Sequence, residues 1–144
     1  MKYYVAYGSN LNVEQMARRC PNARRVATAT LTNSKLVFRS NAKGFGVATV
    51  ERKKGGTVPV GIWIISDSDE VALDRYEGYP WLYGKQNVTV SIAGSPVKAM
   101  IYIMAPGHAV TTPAEAYLNT IAQGYRDFGF DTAALFNAAG MKGD

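Results

Sequence analysis

The order of strand-like and helix-like segments constrains the fold of this chain most strongly. Runs rich in β-branched and aromatic residues predict strands at residues 3–7, 25–31, 35–40, 47–50, 58–65, 86–92 and 97–104. Helical patterns are inserted at residues 13–19, 69–77 and 113–126, and in a short last segment that ends at Gly140. Strands that occur in runs, without regular alternation with helices, predict an α+β fold whose mainly antiparallel sheet is curled or closed into a small β-barrel.

Residues that suit helix ends and turns support these boundaries. The expected N-caps are Asn12 with Gln15 three residues later, Ser66 or Ser68, Thr112 followed by Pro113, and Asp131. Gly78 is expected to end the second helix, and the first must end before Pro21. Glycine-containing segments predict turns at residues 44–46 and 94–96 and a hairpin tip at residues 53–56.

Length and composition fit one globular domain over residues 1–144, with 47% hydrophobic residues. No segment approaches the roughly 20 apolar residues of a membrane span, and the N-terminus lacks signal-peptide features. We therefore expect a cytoplasmic protein without membrane association. One cysteine, Cys20, and one histidine, His108, are too few for a structural zinc site, and no clustered Asp pattern indicates another metal. No metal site is therefore expected.

The positive charge is concentrated in the first third of the chain. Residues 1–54 hold 11 Lys and Arg against 2 Asp and Glu, whereas the whole chain carries a net charge of +5. A basic face that includes Arg18, Arg19, Arg24 and Arg25 fits a module that binds nucleic acid or an acidic partner. Solvated side chains scattered over a helix and several strands explain the same asymmetry, and this second interpretation is favoured. No nucleic-acid partner is expected.

The segment Tyr7-Gly8-Ser9-Asn10 joins a buried strand to a capped helix. Backbone N–H groups at such a junction converge near the positive end of the helix dipole, which suits carboxylates, phosphates or oxyanions. Gly8 permits close approach of a ligand to the backbone. An ordinary strand-to-helix turn, capped by Asn10 or Asn12, is the alternative interpretation.

Glu77 lies in the last turn of the second predicted helix, four residues after Leu73 and on the same face. Burial and the negative end of the helix dipole both raise the pKa of a carboxyl group, as a general base near neutral pH requires. A half-exposed glutamate paired with Arg75 or Lys85 is an equally valid interpretation of the sequence alone.

Nucleophilic catalysis by the protein itself is disfavoured. No Gly-x-Ser-x-Gly motif is present, and His108 lies in a predicted loop. Cys20 is interpreted as a core residue at a helix end. The aromatic residues of the second half are expected in the core, with one or two hydroxyls available to a pocket: Tyr76, Tyr79, Trp81, Tyr83, Tyr102, Tyr117 and Tyr125.

Several segments together resemble the gamma-glutamylcyclotransferase-like family, which includes the AIG2-like proteins. They are Ala6-Tyr7-Gly8-Ser9-Asn10-Leu11, Arg19-Cys20-Pro21-Asn22-Ala23, Gly46–Val50, Val60–Trp63, Leu73-Asp74-Arg75-Tyr76-Glu77-Gly78, Tyr83, Val88–Val90 and Tyr117–Gly124. They cover most of the chain. The pair formed by the Tyr-Gly-Ser-Asn turn and the later Leu-Asp-x-x-Glu-Gly segment is the most specific part of the resemblance.

The resemblance implies a small α+β barrel flanked by helices and a cofactor-free cyclotransferase. The α-amino group of a small γ-glutamyl substrate attacks its own γ-carbonyl, releasing 5-oxoproline and an amine or amino acid. Glu77 matches the catalytic glutamate. The residues implied to bind substrate are Tyr4, Val5, Ala6, Tyr7, Gly8, Ser9, Asn10, Tyr83 and Tyr117. Homodimers in some members, and members that only bind a glutamyl-like ligand, are further implications.

The aromatic segment Gly78-Tyr79-Pro80-Trp81-Leu82 departs from the family pattern. It is expected to line the leaving-group side of the pocket and to favour a bulkier or apolar amine. The resemblance therefore implies the reaction class more firmly than the substrate.

Overall fold

A computed structural model describes residues 1–140 and contains one five-stranded sheet. The elements, in chain order, are β1 (Lys2–Ala6), α1 (Val13–Arg19), β2 (Arg24–Ser40), β3 (Gly46–Ile65), α2 (Asp67–Glu77), β4 (Tyr83–Ile92), β5 (Ser95–Met104), α3 (Glu115–Asp127) and α4 (Ala133–Ala138). A short 3-10 helix (Ser9–Leu11) connects β1 to α1. No helix in this part of the chain is long and apolar enough to cross a membrane.

The strand order is β2-β3-β1-β5-β4. Only β1 and β5 pair in parallel, whereas the other three neighbouring pairs are antiparallel, so the predicted α+β class with a mainly antiparallel sheet is confirmed. The sheet curls until its edge strands β2 and β4 approach each other, but within residues 1–140 these strands do not pair. The sheet is therefore curled and open, and it does not close into a barrel.

The predicted hairpin tip at residues 53–56 is wrong. Strands β2 and β3 form one long hairpin, from Arg24 opposite Ile64 to Ser40 opposite Gly46, and the chain reverses at residues 41–45. The four residues 53–56 face a single residue of β2, Asn33, whose side chain accepts from the Gly55 amide at 3.1 Å. Gly55 and Gly56 therefore lie in an irregularity of the β2–β3 ladder. The two strands expected at residues 25–31 and 35–40 form one continuous strand, β2.

The helix ends are confirmed for α1 and α2 but not for α3. Asn12 Oδ1 accepts from the Gln15 amide, and Ser66 forms a capping box with Asp69. Helix α3 begins at Glu115 without a side-chain cap, and its N-cap residue is Ala114 instead of the expected Thr112. The preceding segment stays extended because its backbone bonds to β2, as in the bond from the Thr111 amide to the Phe38 carbonyl.

The packing of α3 against the 3-10 helix positions the segment that follows β1. A Cβ on Gly124 would lie 2.6 Å from backbone atoms of Leu11 and Asn12, so only a glycine permits this approach. Asn12 Nδ2 donates to the Thr120 carbonyl at 3.1 Å, and the Val13 amide donates to Asp127 at 3.0 Å. The segment between β1 and α1 is thus held between the sheet and α3.

Candidate active site

A cavity of about 260 Å³ lies where the end of β1 meets the end of α2. Eight of the ten residues predicted for the site line it: Tyr4, Tyr7, Gly8, Ser9, Asn10, Glu77, Tyr83 and Tyr117. Val5 and Ala6, which the resemblance also implied, are packed in the core and do not line the cavity. The structure therefore brings the Tyr7–Asn10 segment and Glu77 together, although 67 positions separate Asn10 from Glu77 in the chain.

Six further residues line the cavity: Asn41, Val47, Ala48, Tyr76, Leu82 and Tyr102. The last three were candidates from the sequence, Leu82 as part of the segment 78–82 and Tyr76 and Tyr102 among the aromatic residues that could offer a hydroxyl, whereas the sequence did not indicate the first three. The first three come from the β2–β3 connection and the start of β3, which the curl of the sheet brings over Gly8. Val47 and Ala48 had already appeared within a segment of the family resemblance, and this was the one available signal. Their apolar side chains give the cavity a wall without charge.

The residues from Tyr7 to Asn10 form a rigid turn. The Leu11 amide bonds to the Gly8 carbonyl at 3.0 Å, and Trp63 Nε1 bonds to the Asn10 carbonyl at 3.1 Å. Within residues 1–140 the amides of Ser9 and Asn10 donate to no backbone carbonyl, as expected for the first amides of a helix. Two N–H groups beside the cavity therefore remain available to a ligand.

The hydroxyls of two cavity tyrosines are already used by the protein backbone. Tyr7 donates to the Tyr102 carbonyl at 2.7 Å, and Tyr83 donates to the Ala48 carbonyl at 2.5 Å. By contrast, the Tyr117 hydroxyl oxygen accepts from the Ala48 amide at 3.0 Å, and Tyr4 accepts from Asn10 Nδ2 at 2.8 Å. Each of these acceptors keeps its own hydroxyl hydrogen, so Tyr4 and Tyr117 can still donate to a ligand.

Glu77 is the last residue of α2, and its partly buried carboxyl faces the cavity. Burial raises the pKa of Glu77 to about 7, and the nearby positive charge of Arg19 acts against this rise. Among residues 1–140 Glu77 forms no ion pair with Arg75 or Lys85, and Lys85 bonds instead to Glu70 and Asp74 at 2.7 and 2.8 Å. A carboxyl group with this pKa exchanges protons readily near neutral pH.

The raised pKa of Glu77 predicts a pH-dependent cost to stability. The unfolded chain ionises this group near its usual pKa of 4.5, whereas the folded protein retains the proton up to about pH 7, so stability is lost as the pH rises through this window. Glu77→Gln removes the cost, which is at most about 3 kcal/mol for a partly exposed group. Urea unfolding should therefore find the variant more stable than the wild type at pH 8 and equally stable near pH 4. An equal difference at both pH values would contradict this origin.

Cys20 and His108 do not form a nucleophilic site. Cys20 is the C-cap residue of α1 and is buried in the core, where burial raises the pKa of its thiol to about 11. His108 lies in a loop and does not line the cavity, and its Nδ1 is 2.8 Å from the Ser40 carbonyl. Across residues 1–140 no group of three or more His, Cys, Asp and Glu side chains is arranged to hold a metal ion.

The aromatic segment after α2 contributes less to the cavity than expected. Of the residues 78–82, only Leu82 lines the cavity, and the Trp81 side chain is 86% exposed. The turn that follows α2 directs Trp81 to solvent, because the amides of Trp81 and Leu82 both bond back to the Gly78 carbonyl at 2.9 Å. The expectation that the whole segment lines the pocket is therefore wrong.

Three of the four arginines proposed for a basic face have partners within the protein. Arg18 pairs with Glu14 on the surface of α1. Arg19 bonds to Asn10, and Arg25 bonds to the Asp127 carbonyl at 2.8 Å. These contacts give each side chain a structural explanation that needs no external partner.

Comparisons with known proteins agree with this geometry. Residues 4–125 match the family model described as gamma-glutamyl cyclotransferase, AIG2-like. A gamma-glutamylcyclotransferase from Bos taurus is 32% identical over 135 residues, which span 88% of this chain and 71% of that protein. The protein of the same name from Homo sapiens is 30% identical over the same shares.

Solved structures show the same fold. The structure of a gamma-glutamyl cyclotransferase superimposes with a TM-score of 0.86 at 24% identity, over 99% of this chain and 89% of that chain. An AIG2-like protein from Mus musculus superimposes less closely, with a TM-score of 0.59 at 18% identity over 82% of both chains.

Proposed function

Because the chain belongs to the gamma-glutamyl cyclotransferase, AIG2-like family, we propose that it is a cofactor-free enzyme that cyclises a small γ-glutamyl compound. The products are 5-oxoproline and the released amine or amino acid. The observation that carries the proposal is the position of Glu77: its carboxyl group, with a pKa of about 7, shares one cavity with the turn from Tyr7 to Asn10.

The nucleophile in this reaction is the amine of the substrate itself. The protein therefore has to supply a group that carries protons. The α-ammonium group of the substrate gives a proton to the ionised Glu77, and the freed amine attacks the γ-carbonyl carbon of the same molecule. Glu77 then returns that proton to the leaving nitrogen, and the C–N bond to the leaving group breaks. The ionised Glu77 next takes the second proton of the ring nitrogen and passes it to the released amine, which leaves as an ammonium ion. A group with a pKa near 7 suits these transfers, because neither protonation state is strongly favoured.

The turn from Tyr7 to Asn10 supplies hydrogen-bond donors to the substrate. The Ser9 and Asn10 amides are placed to bind an anionic or developing negative oxygen of the glutamyl group, with the Tyr4 and Tyr117 hydroxyls as further donors. A cavity of about 260 Å³ suits a folded glutamyl chain. Holding the amine against the γ-carbonyl makes ring closure effectively intramolecular in a fixed geometry, which lowers its entropic cost.

The proposal is tested by the turnover of purified protein on a panel of γ-glutamyl amides and γ-glutamyl amino acids. We expect 5-oxoproline and the free amine in equal amounts. We also expect kcat/KM to rise with pH through about 7, because the acid form of Glu77 cannot accept a proton. Binding of 5-oxoproline without turnover of any substrate would favour the alternative of a non-catalytic binding protein.

A further inference from the structure

Arg19, the last residue of α1, turns towards the cavity without lining it. Its guanidinium carbon lies 3.4 Å from the centroid of the Tyr76 ring, a stacked cation–π contact. Nη1 donates to Asn10 Oδ1, and Nη2 donates to Gln15 Oε1 at 3.3 Å. These contacts within the protein hold the planar group in place.

The contact with Arg19 decides which way the Asn10 amide faces. An asparagine amide has an acceptor oxygen on one side and a donor nitrogen on the other, and here the oxygen is taken by the guanidinium. Nδ2 consequently faces the cavity side, where it donates to Tyr4 Oη at 2.8 Å and lies 3.4 Å from Glu77 Oε1. The reversed amide would set two donors, Nδ2 and the guanidinium, against each other.

Arg19 is also the cation that acts on Glu77. The other titratable groups that face Glu77 from the neighbouring elements are tyrosines, and burial raises the pKa of each: Tyr4, Tyr7, Tyr83, Tyr102 and Tyr117. These groups are neutral near pH 7. Tyr76 precedes Glu77 on α2, and the ion pair of Lys85 with Asp74 meets the Tyr102 hydroxyl, which donates to Asp74.

We propose that Arg19 is a positioning residue for Glu77: it holds the Asn10 amide with Nδ2 towards the carboxylate. The positive charge of Arg19 also favours the ionised form of that carboxylate. This inference rests on the proposed function, because it concerns the same proton carrier. It assigns Arg19 no contact with the substrate, since the guanidinium is occupied by Tyr76, Asn10 and Gln15.

The test compares Arg19→Gln with Arg18→Gln, the same substitution one position earlier on an exposed side chain of α1. The readouts are the pH dependence of kcat/KM and a carbon-13 NMR titration of the Glu77 carboxyl, identified by its absence in Glu77→Gln. In Arg19→Gln we expect the midpoints of both curves to move to higher pH, and kcat/KM at pH 6 to fall about tenfold. Arg18→Gln is expected to leave both curves unchanged.

A second variant separates the positioning of the Asn10 amide from the effect of the positive charge. It can be measured even if Arg19→Gln does not fold. Arg19→Lys keeps the charge but loses the planar stacking and the paired donors. We expect its Glu77 titration to stay near that of the wild type while kcat falls by about threefold or more. Wild-type kcat and titration in Arg19→Lys would overturn the proposal.

Two results in Arg19→Gln would also overturn it. One is an unmoved titration of Glu77 with a lower unfolding temperature, which would show a structural role only. The other is a raised KM with an unmoved titration, which would show direct substrate binding. The titration needs no substrate, so it still decides the role of Arg19 if the wild type proves inactive, and that inactivity would count against the proposed function alone.

Discussion

Glu77→Gln is expected to lower the turnover of γ-glutamyl substrates by about 10²–10⁴-fold, the usual contribution of a general acid–base residue. Glutamine has nearly the same shape, and its side-chain oxygen can still accept from Asn10 Nδ2, which lies 3.4 Å from Glu77 Oε1. It cannot accept the ammonium proton or return one to the leaving nitrogen. Glu77→Gln therefore removes proton transfer at this position and preserves the shape of the cavity.

The measurement is the rate of 5-oxoproline release, followed beside thermal unfolding by circular dichroism. Glu14→Gln is the matched control, because Glu14 is an exposed glutamate of α1 whose partner is Arg18 on the same helix. The control should have wild-type turnover. Turnover of Glu77→Gln within threefold of the wild type would remove Glu77 from the mechanism.

Gly8→Val is expected to lower kcat/KM by roughly 100-fold or more, since displacing a bound substrate by about 1 Å can cost that much. A Cβ at Gly8 would lie 3.2 Å from the Ala48 Cβ and 3.9 Å from the Tyr117 hydroxyl. A valine side chain would therefore fill the space between the turn and the opposite wall. Gly8→Ala should lower kcat/KM less, because alanine adds only a Cβ and lacks the two further methyl groups of valine.

Two control variants test whether the loss in Gly8→Val arises because its side chain fills the cavity. Gly84→Val adds the same side chain on β4, where a Cβ would meet only the Ile103 carbonyl at 3.9 Å, and it should retain turnover. Ser9→Ala should cost less than tenfold, because the Ser9 hydroxyl bonds to the Tyr76 hydroxyl at 2.7 Å and the backbone amide is unchanged. A folded Gly8→Val protein with normal kcat/KM would show that the substrate does not occupy this part of the cavity.

Sequence patterns correctly located the structural features that depend on contacts between residues close together in the chain. Asn12, Ser66 and Gly78 mark helix ends through bonds to residues within five positions, and all three occupy the predicted places. The Lys53–Gly56 segment and Thr112 carry equally clear local signals and were misassigned. In both cases backbone pairing with β2 overrides the local preference.

The sequence singled out the two principal parts of the candidate site but not its remaining wall. Each part kept an ordinary structural interpretation until the family resemblance paired them. Tyr7–Asn10 and Glu77 carry recognisable local chemistry, a glycine turn before a capped helix and a carboxylate at a helix end. Asn41 and Ala48 line the cavity only because the curled sheet brings them there. The orientation of Arg19 depends on Asn10 and Tyr76 together, which is a tertiary arrangement that no spacing in the sequence indicates.

The close approach of Gly124 to Leu11 and Asn12 has a bearing on synthesis at the ribosome. The turn after β1 is translated before the helix that covers it, α3, which ends at Asp127. A nascent chain that has emerged only through β5 can pair its strands but lacks this cover, as well as the Tyr117 hydroxyl. The pocket is thus completed after the sheet, and the proposed turnover should appear only once α3 has left the exit tunnel.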